Sequence, residues 1–159
     1  MEIILAENHG FCYGVKRAVE MANEAADSDG KSYTLGPIIH NPQVVGRLES
    51  KGVSPIQEVS DIDEGTMIIR SHGVGPAIYE EAEEKGLNIL DATCPHVKKA
   101  QQDAKSVIED GMTLVILGEK NHPEVKSINL WANNEGIIIE DEESAEKLQI
   151  VEKMGVVVQ

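Results

Sequence analysis

Cys12 and Cys94 stand in one local pattern, C-x-x-V-K-(R/K)-A, 82 residues apart. A second pair keeps that interval: Gly36-x-x-x-His40 is echoed by Gly118-x-x-x-His122. Two unrelated motifs sharing one long period point to a duplicated unit. Their residues are of the types that hold metals, bind anions and move protons. A thiol at a helix start is biased towards the thiolate, and an imidazole titrates near neutrality. The small neighbours Gly10, Gly14, Ala92 and Thr93 would let a bulky inorganic centre approach the backbone. Glu124 follows His122 in a first helical turn, where an acid is ordinary dipole complementarity; beside a histidine it is also a candidate proton donor. A lone cysteine near a small-residue turn is commonly just a buried thiol. C-x-x-C is absent, so neither a thioredoxin-like pair nor a zinc ribbon is indicated.

The elements that must position these residues alternate in type. Apolar runs at Glu2 to Ala6, Tyr33 to Gly36, Thr66 to Arg70, Leu87 to Asp91, Met112 to Leu117, Ile137 to Glu140 and Gly155 to Val158 predict strands. Helices are predicted from Lys16 to Ala26, ended by Asp27-Ser28-Asp29-Gly30, and from Asn41-Pro42 to Lys51-Gly52. Others start at Pro76, run from Pro95 to about Gly111, start at Pro123, and run from Asp141 to Gln149 on an acidic surface. Such alternation predicts an α/β fold with mostly parallel sheets flanked by helices, in two similar units, 1–93 and 94–159. All five histidines (9, 40, 72, 96 and 122) and both cysteines are expected at strand-to-helix junctions, outside helix and strand bodies. In a parallel sheet those junctions share the carboxyl edge, where ligands bind and helix N-termini offer unpaired N–H groups to an anion.

Composition narrows the classes. Hydrophobic residues at 41% suit a globular chain, and aromatics at 3% leave the core to Ile, Val, Leu and Met. A net charge of −14 argues against nucleic-acid and anionic-membrane partners. No run would span a bilayer and the first residues lack the order of a signal peptide, so a cytoplasmic location is expected. Neither G-x-G-x-x-G nor a Walker sequence occurs. Lys16, Arg17, Lys98 and Lys99 put cations in helix first turns, against the dipole. They are expected either to be a solvated face or to raise the potential around an anionic centre. The last strand stops at Gln159, where a loop like that after Ile69 would follow, so the chain is expected to be part of a longer protein.

Gly10-Phe11-Cys12-Tyr13-Gly14-Val15, Leu35-Gly36-Pro37-Ile38-Ile39-His40-Asn41, Ser71-His72-Gly73-Val74, Asp91-Ala92-Thr93-Cys94-Pro95 and His122-Pro123-Glu124-Val125 occur in this order. As a set they resemble the 4-hydroxy-3-methylbut-2-enyl diphosphate reductase family. That resemblance implies a pseudo-threefold architecture of three α/β domains, the third missing from this chain, around a 4Fe-4S cluster held by one cysteine from each. It implies Cys12 and Cys94 as two of the three ligands, and His40, His72 and His122 as substrate-pocket residues, the first two chiefly at the diphosphate. Glu124 is implied as the acid that protonates the substrate hydroxyl. The implied reaction is reductive dehydroxylation of the allylic diphosphate to isopentenyl and dimethylallyl diphosphate, the last step of the non-mevalonate isoprenoid pathway. Electrons would come from ferredoxin or flavodoxin. His9 and His96 acquire no role, and the match weakens past Val125. With two thiols, this chain alone is expected to be inactive. The rival expectations are a non-catalytic remnant that binds diphosphate or nothing, and a zinc hydrolase, for which no H-E-x-x-H spacing exists.

Overall fold

The computed structural model describes residues 2–7, 9–28, 30–149 and 152–159. Two parallel sheets are built from the alternating elements. In the first, β1 (Ser32–Leu35), β2 (Val53–Ile56), β3 (Thr66–Ile69) and β4 (Asn88–Asp91) lie in the order β2-β1-β3-β4. In the second, β5 (Thr113–Leu117) is flanked by β6 (Ile137–Ile139) and β7 (Met154–Val158), in the order β6-β5-β7. Every pairing is parallel. The predicted α/β class is therefore the observed one.

The first sheet is covered on both faces, which its sequence encodes through the strand period of two. On β3, Ile68 points into a cluster with Ala18, Ala22, Val44 and Leu48, from α1 (Tyr13–Ala26) and α2 (Pro42–Ser50). Met67 and Ile69 point the other way, towards Ala82 of α3 (Pro76–Glu84), Val59 and Leu87. All three are fully buried. Truncating one of these β3 side chains to Ala should cost about 2–5 kcal/mol. The second sheet buries Leu114 and Ile116 against Ala104 of α4 (Pro95–Glu109) and against Val125 and Ile128 of α5 (Pro123–Trp131). The last helix, α6 (Glu142–Glu146), is shorter than predicted; Asp141 caps it reciprocally with Ser144.

Three further departures from expectation concern residues 2–7, β2 and α1. Residues 2–7 form no strand: Ile3, Ile4 and Leu5 are 76%, 83% and 69% exposed, and the segment pairs with neither sheet. An apolar run alone does not make a strand, which needs a partner edge for its N–H and C=O groups. Second, β2 was not anticipated, because Val53-Ser54-Pro55-Ile56 is short and contains proline. It lies at the sheet edge, where a missing donor is tolerated. Third, α1 starts at Tyr13 rather than Lys16 and buries Ala18, Ala22 and Ala25, with Val15 and Val19 only half-buried. It ends at Asp27, its C-cap; Asp29 in the predicted stop lies outside the described residues.

Candidate functional site

The loops after β1, β3, β4 and β5 meet at the carboxyl edges of the two sheets. Ser71 N–H and its hydroxyl both reach the carbonyl of Ile38 at 3.4 Å, tying the loop after β3 to the one that carries His40. Cys94 N–H donates to Ser71 O at 2.9 Å, so the cysteine loop after β4 is anchored one residue from His72. From beside the second sheet, α5 docks onto the same loop. Ser127 Oγ lies 2.8 Å from His72 O and 2.9 Å from Glu124 O, and Trp131 Nε1 donates to Val74 O at 2.9 Å.

These ties gather three histidines. Ring centroids of His40 and His72 lie 4.5 Å apart, those of His72 and His122 5.5 Å, and those of His40 and His122 6.1 Å. One nitrogen from each falls within 4.8 Å of the others. His40 is exposed, while His72 and His122 are half-buried. Burial, helped by the nearby His40, Arg70 and His122, lowers His72 to about 4, so its ring is uncharged at neutral pH. Its Nδ1 is buried and has no partner. His122 is the N-cap of α5, and its Nδ1 accepts the N–H of Glu124 at 3.2 Å. While that cap is made, Nδ1 carries no proton and the ring's N–H lies on Nε2. Glu124 is half-buried in the first turn; burial raises its carboxyl above the ordinary range, against a smaller lowering by His122.

Both cysteines are helix N-caps, Cys12 of α1 and Cys94 of α4, and neither side chain makes a capping hydrogen bond. The two helix starts touch. A β-carbon at Gly14, two residues past Cys12, would clash with Cys94 Sγ. Cys12 is exposed and Cys94 half-buried. Two thiols on adjoining helix N-termini, one against a bare backbone, form a donor set and a cradle that fit a thiolate-bound inorganic cluster at these two positions.

Other expected members do not join. His96 is exposed inside the first turn of α4, not in a loop, and His9 is exposed with its Nδ1 2.8 Å from Ala6 O. The placement of all five histidines outside helices and strands is thus corrected at His96 alone; of the other four, His40, His72 and His122 converge and His9 does not. The four first-turn cations are also engaged locally. Lys98 pairs with Asp91 at 2.6 Å, Lys99 with Asp103, and Lys16 with Glu20 at 3.9 Å, while Arg17 donates to Thr93 O at 3.2 Å.

Asp91 is the group that spacing arguments missed. Oδ1 accepts Thr93 N–H at 2.9 Å, shaping the turn into Cys94; Oδ2 accepts Tyr79 Oη at 2.9 Å and Lys98 Nζ. Burial opposes its ionisation, but the bonds from Lys98, Thr93 and Tyr79 hold the carboxyl below its ordinary value. Burial and that carboxylate together push the Tyr79 phenol well up. Ser127 lies one helical turn past Glu124, so its bond to Glu124 O follows from the i, i+3 spacing, whereas its bond to His72 O does not.

A parallel α/β scaffold that brings thiol-bearing helix starts and three imidazoles to one edge defines the class; by descent, the chain belongs to the LytB protein family, whose model matches residues 3–159. It is 51% identical over 159 residues to the 4-hydroxy-3-methylbut-2-enyl diphosphate reductase of Geotalea uraniireducens, and 50% identical to that of Geobacter sulfurreducens. The whole chain aligns in both cases but covers 56% of each relative, so it spans about half their length. Among solved structures, an (E)-4-hydroxy-3-methyl-but-2-enyl diphosphate reductase superposes with a TM-score of 0.85 at 46% identity, over 99% of this chain and 57% of that one. The E-1-hydroxy-2-methyl-but-2-enyl-4-diphosphate reductase of Plasmodium falciparum gives 0.90 at 32% identity, over 96% of this chain and 49% of that one. Among the described residues, no helix is long and apolar enough to cross a membrane.

Proposed function

We propose that this chain supplies two cluster-binding thiols and the diphosphate pocket of a 4-hydroxy-3-methylbut-2-enyl diphosphate reductase. The observation that carries the reading is the meeting of His40, His72 and His122 on loops tied, through Ser71, to Cys94. Cys12 and Cys94 would hold a 4Fe-4S cluster, with a third ligand from outside this sequence in a pseudo-threefold assembly. When bound, that cluster supplies electrons singly and an open iron for the allylic hydroxyl.

The chain's own groups do the rest. His122 presents Nε2–H to the diphosphate because its other nitrogen is occupied by the helix cap. His72, uncharged when the site is empty, gains a proton when a polyanion arrives, since the anion favours the charged ring. Glu124 keeps its proton to higher pH than an exposed carboxyl would, as a donor to a departing hydroxyl must. The overall balance is two electrons and two protons taken up, the C–O bond broken and water released. Ferredoxin or flavodoxin is the proposed electron source.

Calorimetric titration with the allylic diphosphate tests the pocket: His72→Asn and His122→Asn should each weaken binding at least about tenfold. Glu124→Gln should leave affinity intact and abolish turnover in a protein of the relatives' length that carries this sequence. Anaerobic addition of iron and sulfide should colour the wild type brown and leave Cys94→Ala colourless. Undiminished affinity in both histidine variants would refute the pocket. The 4.8 Å spacing of the imidazoles favours a transition-metal site as the second reading. Stoichiometric zinc bound without sulfide, and lost in His72→Asn, would establish it instead.

A further inference from the structure

A cavity of about 410 Å³ lies between the two units, beside the histidines but lined by none of them. Gly36, Arg70 and Gly75 contribute from the first unit, and Asn121, Lys126 and Leu130 from the second. The lining contains two cations and no carboxylate, in a chain with 28 acidic residues against 14 basic ones. That reversal of sign is local and needs an explanation.

Arg70 supplies one. It follows the last residue of β3, is half-buried, and makes no ion pair among the described residues. Its Nε is buried without a partner, and desolvation lowers the guanidinium's pKa with no counter-charge to offset it. The side chain lies over Gly36, where a β-carbon would sit 2.8 Å from Nη1; φ at Gly36 is +70°, so the position is held open twice over. A guanidinium N–H shut off from water ordinarily has a hydrogen-bond acceptor, and Nε here has none. Lys126, on α5, is exposed and likewise makes no ion pair among the described residues. Asn121 adds a neutral amide donor at the rim.

We propose that this cavity binds a compact inorganic oxyanion, phosphate or diphosphate, between Arg70 and Lys126, as a second anion site distinct from the three histidines. It goes beyond the proposed function and does not depend on it. The guanidinium would take the anion through its planar fork, with Lys126 as a mobile second charge.

Calorimetry of the 159-residue chain with inorganic diphosphate tests it. Arg70→Gln and Lys126→Gln should each weaken one binding event by about tenfold or more, and Arg70→Lys should recover part of the loss. A double His40→Asn, His72→Asn variant should retain that event, which separates this site from the proposed substrate pocket. Lys126→Gln changes an exposed side chain, so its result stands even if Arg70→Gln disturbs folding. Wild-type affinity in both Arg70→Gln and Lys126→Gln, or loss of all diphosphate binding in the double histidine variant, would overturn the proposal.

Discussion

The two loops related by the 82-residue interval, Gly36 to Pro42 and Gly118 to Pro123, start alike and end differently. In the first, Asn41 intervenes between His40 and Pro42, and its side chain caps α2 by accepting Gln43 and Val44 N–H at 3.1 and 3.2 Å. His40 is left exposed with no capping duty. In the second, histidine directly precedes proline, so His122 is itself the cap and one ring nitrogen is committed to the helix. One residue more or less between His and Pro thus decides whether an imidazole is free to choose its tautomer. The cysteine motifs diverge in the same way. Gly14, in the first copy, must stay bare because Cys94 Sγ packs on it, whereas the corresponding His96 is exposed.

The largest effect should come from the cysteine pair. Gly14→Ala would gain roughly 1 kcal/mol of helix propensity but must displace Cys94, so a net loss of about 1–3 kcal/mol is expected in denaturant unfolding. His96→Ala should change stability by less than about 0.5 kcal/mol; equal effects at the two positions would erase the asymmetry. Next comes His72. Its folded-state pKa is lowered to about 4 from 6.5, so the unfolded chain binds the extra proton between those values. Stability present above about pH 6.5 should therefore decline as pH falls towards 4. After discounting for solvent screening the loss should be on the order of 1–2 kcal/mol, and His72→Asn should flatten it. Smallest is the capping contrast. His122→Ala should cost about 1 kcal/mol, as should Asn41→Ala, while His40→Ala should cost a few tenths at most. Thermal melts of the three variants would show whether His122 alone of the two histidines carries a structural load.

Much of this arrangement was legible in the sequence because each converging histidine sits among local punctuation. His40 and His122 follow a glycine at fixed spacing and stand before Asn41-Pro42 and Pro123, and His72 is enclosed by Ser71 and Gly73. Such signals report where a chain turns. They do not report partners, so Ile3-Ile4-Leu5 read as a strand although no edge receives it. Arg70 is legible only as the end of a strand, since nothing local shows that Gly36 leaves it a place under cover. Asp91 and Lys98 carry opposite charges seven residues apart across the Cys94 turn, beyond the i, i+3 or i, i+4 reach at which a helix would pair them directly.

Pro55 has a consequence for how separate copies of the molecule meet. On the outer strand β2 it removes a donor that a neighbouring chain would need to add itself to the sheet, which protects that margin from recruitment. Among the described residues, the margin at β7 lacks that guard: Val156 and Val158 are exposed there and the strand is free of proline. A lysine in place of Val156 would add the guard that this margin lacks and should suppress edge-to-edge stacking there in concentrated solution.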